Sequence, residues 1–161
     1  MENIYAVCVL TNTINNISGY ILFDYNKLTK ITNIKIKVKN LSEGKHGIHI
    51  HKYGDLRESC ESLCDHFNPY NKNHGNINSK KSHNGDLGNI YANKKGLCNT
   101  NLKTNKLRLS GKNSIIGRSI VIHEDEDDLG LTNHKLSLKT GNSGKRIACG
   151  VIGYANNNIK N

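Results

Sequence analysis

Aliphatic residues at Ile34, Ile36 and Val38 alternate with Lys35 and Lys37, a period of two that predicts a half-buried β-strand. Shorter apolar runs at residues 5–10, 20–23, 47–51, 106–109, 119–123 and 148–154 read as further strands. Glycine, asparagine and aspartate punctuate the gaps, as tight turns require. No window of a dozen residues carries a helical period of 3.6. Many short strands with turn signals predict an all-β domain, a Greek-key barrel or sandwich. Two segments break the rhythm, at about residues 52–81 and 124–146. Loops longer than about 15 residues are uncommon in compact domains and usually serve function.

The 161 residues suit one domain, 1–161, with a single core. Tryptophan is absent and phenylalanine scarce, so isoleucine, valine and leucine must fill the interior. No apolar run is long enough for a membrane span. The opening MENIYAVCVLTN lacks the basic region, apolar core and cleavage site of a signal peptide. Cytoplasmic residence is the expectation, or host cytoplasm or virion for a gene of a large A/T-rich DNA virus. The net charge of +10 raises a nucleic-acid reading. The lysines, however, are dispersed among asparagines, without an aromatic-interleaved stripe or a recognisable nucleic-acid-binding motif. An A/T-rich coding sequence explains such Lys, Asn and Ile usage, so no nucleic-acid partner is expected. The positive field still attracts small anions.

Chemistry concentrates in the histidines. On a strand, His49 and His51 share one face while Ile48 and Ile50 occupy the other, which makes a rigid chelating pair. His66 lies just before Asn68-Pro69 in the first long segment, and His123 ends an apolar strand beside an acidic run. His74, His83 and Asp86 cluster among Gly75, Asn76, Asn78, Asn84 and Gly85, so the chain can fold back on itself. Three imidazoles and one carboxylate would make a closed zinc site, with His66 the natural third imidazole. Five cysteines (8, 60, 64, 98 and 149) leave at least one outside any internal bridge. Cys8, in an alternating run, reads as a buried thiol; the residues alone do not pair the others.

Taken in order, these residues resemble the copper/zinc superoxide dismutase family. The matching stretches are Ala6-Val7-Cys8-Val9-Leu10, His46-Gly47-Ile48-His49-Ile50-His51, Gly54-Asp55, Cys60 and His66-Phe67-Asn68-Pro69. They continue through His74-Gly75, His83, Gly85-Asp86-Leu87-Gly88-Asn89, Gly117-Arg118, His123-Glu124 and Asp127-Asp128-Leu129-Gly130. Thr140-Gly141-Asn142 and Cys149-Gly150-Val151-Ile152-Gly153 complete the match, which spans almost the whole chain. The resemblance implies an immunoglobulin-like Greek-key β-barrel of about eight strands with two long functional loops. It implies one copper and one zinc ion per subunit. Copper would be held by His49, His51, His66 and His123, zinc by His66, His74, His83 and Asp86, and His66 would bridge the two. The implied reaction converts superoxide to dioxygen and hydrogen peroxide by alternate reduction and oxidation of copper. By the same match Arg146 orients the anion and Thr140 narrows the channel opposite it. Asp127 links His49 to His74, His46 is structural, and Cys60 pairs with Cys149. Family members are commonly homodimers, for which Ile115, Ile116, Gly117, Val151 and Ile152 are suitable residues.

Several positions depart from the family pattern. Cys64 replaces a usual glycine, where its thiol could be inert, compete for the disulfide or capture copper. Asn76-Ile77 replaces a glycine-proline, loosening the turn between zinc ligands. Lys135-Leu136 stands where an acidic pair is usual. Pro69 is the only proline, so none lies near Cys149, and copper loading is expected to need no dedicated chaperone. His134 has no metal counterpart and reads as a surface residue. The alternative to an active enzyme is a catalytically silent relative that binds metal or partners. This chain, however, keeps every position that matches a ligand, and Arg146.

Overall fold

In the computed structural model, which describes residues 3–156, β4 (Ile31–Lys39) realises the expected alternation. Thr32, Ile34, Ile36 and Val38 are buried, and the lysines between them point outward. It pairs with β3 (Ser18–Asn26), which buries Ile21, Phe23 and Tyr25, and β3 pairs with β1 (Asn3–Val9), which buries Ala6 and Cys8. The remaining strands are β2 (Asn12–Thr13), β5 (Gly44–His51), β6 (Asp86–Ala92), β7 (Cys98–Thr104), β8 (Ser119–His123) and β9 (Arg146–Tyr154). Hydrogen-bonded neighbours run β6-β5-β8-β9-β1-β3-β4-β7, every pair antiparallel, with the two-residue β2 attached to β9. The outermost strands β6 and β7 are joined by a turn around Asn93–Gly96, which nearly closes the barrel.

One expected strand is corrected. Residues 106–109 form no ladder; the strand on the edge of β4 is β7, registered from Thr32↔Thr104 to Val38↔Cys98. Leu107 and Leu109 are fully buried, so their alternation is real, but they pack inward from a loop that makes only an isolated bridge between Arg108 and Ser114. The pattern at β7 is faint because CNTNLKT presents Thr100 and Thr104 on its inner face where aliphatics would signal burial. β6 is equally faint, since DLGNIYA starts on a carboxylate and carries Gly88 at φ +80°.

β5 positions the chemistry. From His46 to His51 both faces are buried: Ile48 and Ile50 enter the barrel core, and His49 and His51 lie on the other side. β8 is buried on both faces too. A sheet buried on both faces needs a second cover, and the two long loops supply it. Each contains only a short helical turn, a 3₁₀ turn at Glu61–Leu63 in the first and α1 (Ser137–Thr140) in the second. The first loop is fastened to β9 by a disulfide between Cys60 and Cys149, with Cα atoms 5.9 Å apart and 89 residues of chain between them. Cys60, Leu63, Val121 and Cys149 form a small apolar cluster beneath it. Among the described residues, no helix is long and apolar enough to cross a membrane.

Candidate metal centre

Two strands and the first long loop deliver the histidines to one place. His49 and His51 come from β5, His123 from the end of β8, and His66 from a loop residue that bridges back onto His51. His74 and His83 come from farther along that loop, which ends at Asp86, the first residue of β6. Register shifts at Gly47/His49 and at Ile122/His123 interrupt the ladders here, re-aiming side chains as bulges do.

The ligand atoms of His49, His51, His66 and His123 all lie within 4.8 Å of one another, and all four residues are buried. The rings of His49 and His66 stack with centroids 3.9 Å apart. A second buried set with the same closeness is His49, His66, His74 and Asp86, in which His49 stands where the sequence named His83. His83 nonetheless reaches the same carboxylate. Its Nδ1 is 3.1 Å from Asp86 Oδ1, beside His66 Nδ1 at 3.0 Å and His74 Nδ1 at 2.9 Å. His49 already directs one nitrogen at the first set and the other at Asp127, so His83 is the better fourth member.

Hydrogen bonding separates ligands from structural histidines. His49 donates from Nε2 to Asp127 Oδ2 (2.8 Å), His51 from Nδ1 to the Cys64 carbonyl (2.7 Å), and His123 from Nδ1 to the Gly144 carbonyl (3.2 Å). His74 donates from Nε2 to Asp127 Oδ1 at 2.7 Å. The opposite nitrogens of the first three, His49 Nδ1, His51 Nε2 and His123 Nε2, together with His66 Nε2, are buried without a hydrogen-bond partner, while His74 Nδ1 faces Asp86 Oδ1 at 2.9 Å. An unsatisfied buried nitrogen costs on the order of 1–3 kcal/mol, so four converging ones argue for a cation that uses them. Each donated bond fixes the tautomer and leaves the facing lone pair free, as metal-binding imidazoles require. His46 is the internal contrast. It is just as buried, but Nδ1 meets the His123 carbonyl at 2.8 Å and Nε2 meets the Ser42 carbonyl at 3.0 Å, so it has no nitrogen left for a metal.

Electrostatics agree with the chemistry of the donors. Burial, then the neighbouring imidazoles, holds His49 and His51 well below the usual histidine range. Burial brings His66 down as well and His123 down to about 4, which keeps their rings neutral and their lone pairs available. His74 behaves differently: burial would lower it, but bonds to Asp127 and Asp86 outweigh that and push it up to about 9. Burial disfavours the charge on Asp86, yet the three histidines around it hold it well below the ordinary carboxylate range. Gly75 N–H and His83 N–H also donate to its Oδ2, each at 3.0 Å. Three imidazoles around an ionised carboxylate suit zinc, which would displace the His74 Nδ1 proton on binding, and an all-imidazole set suits copper.

Asp127 spans His49 and His74 through its two oxygens, as the resemblance implies. It is itself fixed: its N–H donates to Asn89 Oδ1 and its carbonyl accepts from Asn89 Nδ2. Gly141, at φ +69°, passes so close that any β-carbon would collide with Asp127 Oδ1 and His74 Nε2. Both residues sit inside the matched motifs, but a motif does not say what its glycine must make room for.

Arg146 is half-buried at the start of β9, opposite His123 in the β8–β9 ladder. Its Nη1 donates to the Cys60 carbonyl (2.7 Å) and more weakly to that of Glu61 (3.4 Å), and its Nη2 to the Cys64 carbonyl (2.8 Å). These carbonyl anchors were not legible in the sequence, because any residue supplies a carbonyl. Thr140, at the end of α1, lines a cleft of about 790 Å³ with His66, Cys64 and Lys139; Arg146 is not in that lining. His134 is exposed, and its Nδ1 accepts from Leu136 N–H.

Comparison with known proteins places this arrangement in context. Residues 17–152 match the family model described as copper/zinc superoxide dismutase. The chain is 43% identical over 153 residues to superoxide dismutase [Cu-Zn] 2 of Mesembryanthemum crystallinum, covering 95% of this chain and 97% of that one. It is 46% identical over 150 residues to a superoxide dismutase [Cu-Zn] of Onchocerca volvulus, covering 91% of this chain and 94% of its relative. A superoxide dismutase [Cu-Zn] of Paramecium bursaria Chlorella virus 1 is 54% identical over 115 residues, covering 71% and 62%.

Proposed function

The chain belongs to the copper/zinc superoxide dismutase family and is a superoxide dismutase, and from that premise we propose how its own residues divide the work. The carrying observation is that two buried ligand sets share His66, whose Nε2 is buried without a partner among the first set while its Nδ1 lies 3.0 Å from Asp86 Oδ1 in the second. His49, His51, His66 and His123 would hold copper. His66, His74, His83 and Asp86 would hold zinc. When bound, copper supplies one-electron redox chemistry, and zinc, which has none, supplies fixed charge and geometry.

The protein's part is to hold the anion and supply protons. One superoxide is oxidised to dioxygen; a second takes up an electron and two protons to become hydrogen peroxide. His66 takes a proton at Nε2 in the first half and donates it in the second. Arg146 orients the anion. Its guanidinium is fixed in advance by carbonyls of the disulfide-tethered loop, so little reorganisation is needed when charge arrives. It is close enough for its charge to lower both His51 and His123. Thr140 and Lys139 edge the cleft by which an anion reaches His66. Asp127 acts through the ligand rings, positioning His49 against His74.

We assign the protein a homodimeric state, joined through the surface where Ile116, Gly117 and Val151 meet. Gly117 is exposed and Val151 is 36% exposed, whereas Ile115 and Ile152 are fully buried in the core and serve the barrel. Sedimentation of the metal-loaded protein at micromolar concentration tests this: a dimer that Val151→Glu splits is expected, and a native monomer overturns it. Copper loading without a dedicated chaperone belongs to the same reading; it is tested by activity after expression in cells lacking such a factor. The function itself is tested by metal analysis paired with a superoxide assay, which should find one copper, one zinc and rapid dismutation together.

A further inference from the structure

We propose that the pocket enclosed by Lys72 and Lys80 of the first loop and by Lys106 and Arg108 after β7 binds a compact polyphosphate group. The pocket holds about 330 Å³, and its lining contains four cations and no carboxylate. Among the described residues, none of the four forms an ion pair. Two of them are placed by neutral oxygens instead. Lys106 Nζ donates to Ser82 Oγ at 2.5 Å and Lys72 Nζ donates to the Lys80 carbonyl at 2.6 Å, so both ammonium charges are placed and uncompensated.

The surroundings are built to keep that arrangement. Asn84 Nδ2 donates to the Lys106 carbonyl at 3.0 Å, tying the segment after β7 to the loop. Asn113 Nδ2 donates to the Tyr70 hydroxyl at 2.9 Å at the pocket edge, and Lys72 lies over the Tyr70 ring. Lys106 is half-buried, and burial, reinforced by the charge of Lys72 against the opposing pull of Asp86, pushes it down to about 8. The nearest buried carboxylate, Asp86, is committed to the histidines.

Cations converging on one concavity repel one another, and an anion of several charges seated among them removes that repulsion. A chain of linked phosphates carries such charge in a small volume. Its tetrahedral oxygens accept from lysine point charges and from the arginine fork. A nucleic-acid strand spreads its phosphates along a line, and this pocket offers one compact concavity with a single aromatic ring, Tyr70. None of the lining residues belongs to either metal set, and Arg146 is absent from it.

The test is calorimetric titration of the copper- and zinc-loaded protein with inorganic tripolyphosphate, against sulfate at equal ionic strength, with metal content measured afterwards. Tripolyphosphate should bind at least ~10-fold more tightly than sulfate. The double variant Lys80→Gln/Arg108→Gln should weaken it at least ~10-fold, about 1.4 kcal/mol, without loss of either metal. Arg146→Ala should leave it unchanged. Sulfate-like affinity overturns the proposal, as does native affinity in the double variant, or loss of binding on Arg146→Ala, which would place the anion beside copper.

Discussion

Arg146 and Cys64 are joined by a hydrogen bond from Nη2 to the Cys64 carbonyl at 2.8 Å, and that same oxygen accepts from His51 Nδ1 at 2.7 Å. One backbone carbonyl thus orients both the guanidinium assigned to the substrate anion and an imidazole assigned to copper. The loop carrying it is pinned four residues earlier by the bridge from Cys60 to Cys149.

That coupling makes Arg146 sensitive to shape as well as charge. Arg146→Lys keeps the cation but replaces the planar fork with a single ammonium, which cannot hold the Cys60 and Cys64 carbonyls together. The dismutation rate should fall about tenfold or more with copper and zinc retained. Steady-state superoxide consumption alongside metal analysis checks this; unchanged kinetics would remove the assigned role.

Cys64 sits at φ 63° and ψ −152°, a region that only glycine enters without strain. Such strain costs on the order of 1–3 kcal/mol, more than the roughly 0.5–1 kcal/mol that a glycine adds in lost chain entropy. Cys64→Gly should therefore stabilise the oxidised protein by about 1 kcal/mol with activity kept, as read by denaturant unfolding. A destabilised variant would mean that the thiol makes a contact that matters.

The bridge between Cys60 and Cys149 closes 89 residues of chain. Replacing both cysteines with alanine should cost about 3–4 kcal/mol. It should also lower activity beyond what the lost stability explains, because the Cys60 carbonyl holds Arg146. Comparing dismutation well below the melting temperature separates the two effects.

Asp127 serves both metal sets through one carboxylate. Asp127→Ala should weaken zinc retention about 10- to 100-fold while the barrel stays folded, since a positioning acceptor is lost and no ligand is. Gly141→Ala should produce a similar zinc defect by displacing the carboxylate. Competition with a chromophoric chelator reads both.

The charge of +10 and the Lys135-Leu136 pair predict attraction of the anionic substrate from a distance. The rate should fall severalfold as ionic strength rises from about 0.01 M to 0.15 M, because the Debye length shrinks from about 30 Å to 8 Å. A flat or rising profile would contradict steering.

Alternation made the central strands legible, as at Ile34, Ile36 and Val38, and the order of the histidines made the centre legible. β6 and β7 were not, because Gly88 and the threonines of β7 carry little apolar signal. Leu107 and Leu109 misled in the opposite sense: they alternate like a strand but are buried from a loop. Within the site, side chains with distinctive chemistry were named from sequence. The carbonyls of Cys60, Cys64 and Gly144 were not, since their role comes from where the backbone passes and every residue owns one. The residues assigned to a dimer surface divide for a similar reason, for Ile115 and Val151 look alike in sequence and differ in burial.

The central claim is that the ring of His66 serves both metal sets, so the most direct test is superoxide dismutation by His66→Ala beside the native protein, each supplied with copper and zinc. The variant should remain folded, as its barrel core is elsewhere, and should lose most of its activity. Near-native dismutation by folded His66→Ala would contradict the account.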